Sequence, residues 1–365
     1  MTYQEERDIA YLNKLRREIL PCLPSFCRDY FVGIGMRTTA LTRFNYGTDL
    51  KLFFEFLCSE DSIFPGRFPA DLSLNDLKTV QKRDIERYLD HLDSYFNEQK
   101  GIYIKNKDSA KARKLSAVRS LFAYLYKSDM IEENVASKVD VPKIREKEII
   151  RLEDDEVVEV FDELIESDTF SSERQNAYNN KNTKIRDNAI ITLILGTGIR
   201  VSELVGLDVD DLDFDNKTFT VTRKGEKRAI LYLTDDIIAV LTEYLAARSE
   251  QLQRHNAEDT PALFLSLQDK RITVRAVQIL VKKYAAAVTP LKKITPHKLR
   301  STYGTALYRA TKDIYVVAEV LGHKDINTTK KHYAAISEDI KKEAADKVNF
   351  IKSDDDPVSP PSDPQ

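Results

Sequence analysis

Apolar positions along this 365-residue chain recur mostly every three or four residues, the period of a helix with one buried face. Asn13 to Leu20 reads as a short helix halted by Pro21, and the aromatic run Cys22 to Phe31 is suited to pack on a neighbour. A longer helix starts near Thr38 or Thr39, either of which can cap it, and carries Phe44, Leu50, Phe53, Phe54 and Leu57. Pro65, Gly66 and Pro69 break the chain into a loop. Ile85, Tyr88, Leu89 and Leu92 then fall at i, i+3, i+4 and i+7, which gives a helix from about Gln81 one apolar face. Asp108 is expected to cap a helix over Ser109–Tyr126 that buries Leu115, Val118, Phe122 and Leu125.

The stretch Val141 to Ile150, opened by Pro142 and rich in charge, reads as a connection. An acidic helix follows Arg151-Leu152, then a polar, Asn-rich loop from Phe170 to Lys184, then a strongly apolar helix over Arg186–Leu195 suited to a core. At Thr218–Thr222 and Ala229–Leu233 β-branched and apolar residues flank the basic tip Lys224-Gly225-Glu226-Lys227, which predicts a β-hairpin. Ala262 to Leu267 reads as a short buried strand or extended segment, and Ile272–Tyr284 as a helix with Val274, Val277, Leu280 and Val281 inside. A further helix begins near Pro296, and another over Ile314–Leu321 is ended by Gly322. Ile336, Ile340, Ala344 and Val348, four apart, mark a terminal helix with one apolar stripe, and the Pro-, Asp- and Ser-rich end from Ser353 is expected to be disordered. The pattern predicts a mainly α protein with a small antiparallel β-sheet, long enough for two domains.

Only 11 glycines and 12 prolines support the helical reading. No apolar run is long enough to span a bilayer, so membrane insertion is not expected. The N-terminus lacks the apolar core of a secretory signal, and Cys22, Cys27 and Cys58 form no metal-type pairing, so reduced thiols in a cytoplasmic location are expected. The net charge of −3 argues against nucleic acid, yet the charges are segregated. Between Lys105 and Lys127 seven bases face Asp108 alone, whereas Glu153 to Asp168 holds nine acids and no base. A basic surface can coexist with an acidic total. Lys107, Lys111 and Lys114 step by four and three along one helix side, with Arg119 further on, and are the candidate phosphate contacts.

The candidate chemistry lies in three places. In Gly196-Thr197-Gly198-Ile199-Arg200, followed by Glu203, glycines make a turn and Arg200 opens the next helix, where a guanidinium and a helix N-terminus together favour an anion. His297 and Arg300 lie one turn apart and share a helix face. His323 follows Gly322, and Tyr333 comes after Thr328-Thr329. A guanidinium binds phosphate bidentately, imidazoles can bond phosphate or move a proton near neutral pH, and a phenol can act as nucleophile. His91 and His255 have no supporting motif, and His332 beside Tyr333 is not taken as a ligand.

These motifs resemble those of the tyrosine recombinase and integrase family. Thr197-Gly198-Ile199-Arg200-Val201-Ser202-Glu203-Leu204 is similar to its TG-x-R-x-x-E-L box, Pro296-His297-Lys298-Leu299-Arg300 to its H-x-L-R box, and Leu321-Gly322-His323 with Thr328-Thr329 and Tyr333 to its LGH…TT…Y ending. Ser301 departs from the common pattern, in which a second His follows the arginine. The resemblance implies that Arg200, Lys224, His297, Arg300, His323 and Tyr333 are catalytic, with Tyr333 the nucleophile and Glu203 a supporting acid. Lys224 matches the family's hairpin lysine, and Lys227 is its competitor. It further implies a helical, SAM-like core-binding domain at residues 39–142 and a catalytic domain at 151–350, around a linker at 143–150, an N-terminal extension at 1–38 and a tail at 351–365. No cofactor and no metal is implied. The expected partners are double-stranded DNA sites, a homotetramer on two paired sites, and a DNA translocase of the FtsK type. Within the family the likeness runs to the Xer group, most of all to single-recombinase XerS-type proteins, which resolve chromosome dimers. An integrase or transposase of a mobile element remains the alternative, and behind it a type IB topoisomerase or a DNA-binding protein without catalysis.

Overall fold

The computed structural model describes residues 2–97, 101–143, 150–166, 181–223, 227–323 and 325–326. The expected terminal helix, the tail, Lys224 and Tyr333 lie outside them. The chain divides into two compact units, Met1–Lys147 and Glu148–Gln365.

The first unit contains α1 (Tyr3–Lys14), α2 (Cys27–Gly33), α3 (Ala40–Leu57), α4 (Leu74–Thr79), α5 (Lys82–His91), the hairpin β1 (Tyr95–Asn97) and β2 (Ile102–Ile104), and α6 (Asp108–Lys127). The first helix begins ten residues before the expected Asn13. Thr2 accepts from Glu5 N and Glu5 returns a bond to Thr2 N, a reciprocal cap that starts it there. It continues as a π-helical turn over Leu15–Ile19 and a 3₁₀ turn over Leu20–Cys22, where Pro21 interrupts the α-helical ladder. The N-terminal segment is part of the core: Leu15, Ile19, Leu23, Tyr30 and Ile34 pack with Phe53, Phe54, Tyr88 and Phe122 in one cluster. Thr39, not Thr38, caps α3, accepting from Thr42 N at 3.2 Å. Asp108 is the first residue of α6 rather than its cap. Lys107 holds the extended cap position, so Asp108 acts there through the helix dipole.

The second unit contains α7 (Asp154–Glu166), α8 (Lys181–Thr197), α9 (Val201–Leu204), the antiparallel sheet β3 (Leu212–Asp213), β4 (Thr218–Arg223) and β5 (Lys227–Tyr232), then α10 (Asp235–His255), α11 (Val274–Val288), α12 (Pro296–Thr311) and α13 (Ile314–Leu321). Residues Lys181 to Lys184, expected in a loop, are the first turn of α8. Their polar composition suits a loop, but packing of α8 on α10 and α12 settles them as helix and buries Thr183. The core reading of this helix holds, with Ala189, Ile190, Ile191, Leu193 and Ile194 buried. The hairpin pairs Phe219 with Leu231 and ends on Arg223 with Lys227. Ala262 to Leu265 is extended and buried, with isolated bridges from Ala262 to Asp208 and from Leu265 to Arg271.

Candidate active site

The second unit brings three separate stretches to one place, the C-terminal end of α13. Gly322 closes that helix at φ 60°, its amide donating to Glu319 O at 2.9 Å while His323 N donates to Ala318 O at 2.9 Å. This pairing of amides beyond the helix end is a Schellman closure, and it projects His323 directly past the last turn. The four terminal carbonyls carry the negative end of the helix dipole and attract cations.

Arg300 and Arg200 are two of those cations. Arg300, 4% exposed, lies on α12, and its Nη2 donates to Leu321 O while its Nη1 donates to Gly198 O at 2.5 Å. Arg200 precedes α9, and its Nη2 donates to Gly322 O at 2.7 Å. The buried Glu203 carboxylate accepts from Arg200 Nη1 at 2.7 Å and from Arg200 N at 3.1 Å, which fixes the root and the head of the side chain together. Gly198 makes this approach geometrically feasible. It sits at φ +63°, and a Cβ there would lie 2.4 Å from the Tyr303 ring and 2.9 Å from Leu321.

His297 is exposed in the first turn of α12, one turn before Arg300. Ser301, the departure from the family pattern, donates back to His297 O at 3.0 Å. The structure therefore joins Arg200, Glu203, Arg300 and His323 around one helix end, with His297 on the helix that carries Arg300. Lys224 and Tyr333 fall outside the described residues.

Sequence reasoning missed Arg223. Its Nη2 donates to Val320 O at 2.8 Å, and it is half-buried beside Arg200. Burial, with the neighbouring Arg200 charge opposing Glu203, lowers its pKa. Its position at a strand end, next to a motif lysine, was the available signal. Arg271 donates to Val205 O at 3.1 Å and Leu207 O at 2.8 Å, holding the chain that leaves α9.

In the first unit the candidate phosphate contacts divide. Lys107 is exposed, as are Lys105 and Arg113. Lys111 donates to Asp93 at 2.7 Å and lies 3.6 Å from Asp108. Lys114 is 8% exposed, 3.8 Å from the buried Asp49, which also pairs with Arg113. Burial pushes Asp49 up and Lys114 down in pKa. Arg119 donates to Ala136 O at 3.2 Å and to Val139 O, tying down the segment after α6. Among the described residues no group of three or more His, Cys, Asp or Glu side chains could hold a metal ion, and no helix is long and apolar enough to cross a membrane.

Residues 145–339 match the phage integrase family profile. A tyrosine recombinase XerC of Caldanaerobacter subterraneus subsp. tengcongensis is 32% identical over 335 residues, 89% of this chain and 86% of the relative. A tyrosine recombinase XerS of Streptococcus equi subsp. zooepidemicus is 31% identical over 351 residues, 89% of this chain and 96% of the relative. In fold the chain is similar to the XerH site-specific recombinase in a post-cleavage complex with its difH substrate, at TM-score 0.63 and 18% identity, covering 94% of this chain and 89% of that one. It is also similar to lambda integrase bound to a core site, at TM-score 0.57 and 16% identity, covering 84% and 93%. A profile spanning more than half of the residues, and relatives covering most of them, show that the chain belongs to the phage integrase family, as a tyrosine recombinase of the Xer group.

Proposed function

We propose that this recombinase exchanges DNA strands at a specific site through a 3′-phosphotyrosine on Tyr333, and that its role is the resolution of chromosome dimers. The observation that carries the chemistry is the convergence of Arg200 and Arg300 on the helix end that presents His323. A phosphodiester repels a nucleophile because its oxygens are already negative. Two guanidiniums held in place beforehand neutralise that charge and favour the five-coordinate transition state. Glu203 and the α13 carbonyls supply the holding contacts, so neither arginine has to be ordered at the moment of reaction.

In the proposed reaction the Tyr333 oxygen bonds to phosphorus as the bond from phosphorus to the 5′ oxygen breaks. A phenol has pKa about 10, so it gives up its proton as it attacks. His297 accepts that proton, directly or through its hydrogen bonds. His323 bonds a nonbridging oxygen. Lys224 protonates the departing 5′ oxygen. A 5′-hydroxyl of the partner strand then attacks the phosphotyrosine and releases the phenol. One ester replaces another, so the exchange runs without ATP.

Paired exchange of two duplexes requires four such sites, which a homotetramer on two double-stranded sites would supply. Residues 39–142 would act as the core-binding domain and residues 151–350 as the catalytic domain. The similarity to XerC and XerS recombinases, and the DNA-bound state of the XerH and lambda integrase structures, support this reading. A DNA translocase of the FtsK type would be the activating partner in a cytoplasmic setting. Covalent trapping on genomic DNA, followed by mapping of the attached ends, tests it. Ends concentrated at one chromosomal site are expected. Ends confined to the borders of a mobile element would overturn the chromosomal role.

A further inference from the structure

Arg223 ends β4 and makes the last cross-strand pair of the hairpin, with Lys227. Its guanidinium reaches out of the sheet to α13, bonding Val320 O at 2.8 Å and, more weakly, Glu319 O at 3.5 Å. The next two carbonyls of the same turn are taken by Arg300 at Leu321 and Arg200 at Gly322. Three guanidiniums therefore serve four successive carbonyls at one helix end, and each arrives from a different element. Gly322 leaves the room this needs, since a Cβ there would lie 2.3 Å from Arg223 Nη1. Among the described residues Arg223 Nε is buried with no acceptor, and the guanidinium is held there through its two Nη groups.

The position along the chain gives this contact its meaning. Arg223 directly precedes Lys224, and the carbonyls it binds belong to the turn that presents His323. A hairpin tip without such a tie is positioned only by its own ladder. The strut from this last ladder pair to the helix end ties the root of the hairpin to the His323 turn.

We propose that Arg223 is a positioning residue, which holds the backbone carrying Lys224 in register with the Arg200, Arg300 and His323 cluster. The inference rests on Lys224 being the general acid. A guanidinium can bridge two carbonyls as a fork, whereas an ammonium acts as a point charge, so lysine at 223 replaces the tie only in part.

The test is single-turnover cleavage of a nicked suicide substrate whose scissile leaving atom is either the normal 5′ oxygen or a 5′-bridging sulfur. A thiolate departs without protonation, so the sulfur substrate bypasses the general acid. Arg223→Met should cleave the oxygen substrate about a hundredfold more slowly, the size of loss that follows ångström-scale misplacement, and the sulfur substrate near the wild-type rate. Arg223→Lys should fall between. A wild-type rate on oxygen, or equal slowing on both substrates, overturns the inference, the latter pointing to a bulk structural role or a direct DNA contact. Lys224→Ala run alongside separates the two levels. If sulfur fails to rescue Lys224→Ala, the general-acid assignment itself is wrong. If it rescues Lys224→Ala but not Arg223→Met, this inference alone fails. Should Arg223→Met lose its folded circular dichroism signal, Arg223→Lys, with similar length and a retained charge, carries the same comparison.

Discussion

Arg300→Ala separates what the arginine does for the fold from what it does for the phosphate. The side chain is 4% exposed and satisfies two carbonyls, Gly198 O and Leu321 O. A buried acceptor left without its donor costs about 1–3 kcal/mol, so two would cost about 2–6 kcal/mol. Relief of the buried charge's own desolvation offsets part of this, leaving about 2–4 kcal/mol. For a unit of this size about 1 kcal/mol moves Tm by about 2–4 °C, so the transition of the Glu148–Gln365 unit should fall by about 5–15 °C. Calorimetry on the full chain reads that transition apart from the first unit's. Cleavage, measured well below either melting temperature, should slow by about 10²–10³-fold, as for loss of a preorganised donor to a developing charge. Arg300→Lys should recover part of the stability and little of the rate, because one ammonium cannot fork across both carbonyls. An unchanged Tm in Arg300→Ala would refute the structural half of this reasoning, and a folded variant cleaving at the wild-type rate would refute the catalytic half.

Three further outcomes follow from the same contacts. Gly322→Ala places a Cβ at φ +60° and 2.3 Å from the Arg223 guanidinium, so it should lower Tm, with about 1–2 kcal/mol from the backbone alone, and slow cleavage in the same kinetic assay. Lys107→Ala should reduce the slope of log affinity against log salt by about one, whereas Arg119→Ala should lower the Tm of the first unit by freeing Ala136 O and Val139 O; titrations at several salt concentrations and calorimetry check the pair. Arg67 and Ser73 hold the Asp76 carboxyl well below its ordinary value of 3.8, so its stabilising contribution is present above that pH and lost as pH falls towards the folded-state value. Asp76→Asn should therefore lower Tm at pH 7, by a margin that shrinks on acidification below about 4.

Motif likeness and apolar periodicity made part of the structure legible. Glu203, the supporting acid implied by the family resemblance, does pair with Arg200, and the apolar run of α8 is core. The early start of α1 was legible too, since Thr2 and Glu5 have the capping-box spacing, although the apolar pattern begins only later. The acceptors of Arg200, Arg223 and Arg300 were not legible, because backbone carbonyls carry no residue-type signature. Nor was the division of the basic helix. Lys107 and Lys114 differ in burial because Asp49, on another helix, lies beside Lys114, a tertiary fact that helical spacing cannot hold.

The claim on which the rest depends is that Tyr333 attacks the DNA phosphorus. A nicked suicide substrate loses the short 5′ strand after cleavage and so preserves the covalent complex. The account predicts a protein–DNA adduct, resistant to denaturant, with the DNA 3′-phosphate on Tyr333 by peptide mass spectrometry, and no adduct from Tyr333→Phe despite unaltered binding. A denaturant-resistant adduct formed by Tyr333→Phe, or one mapped to a different side chain in the unaltered protein, would contradict it.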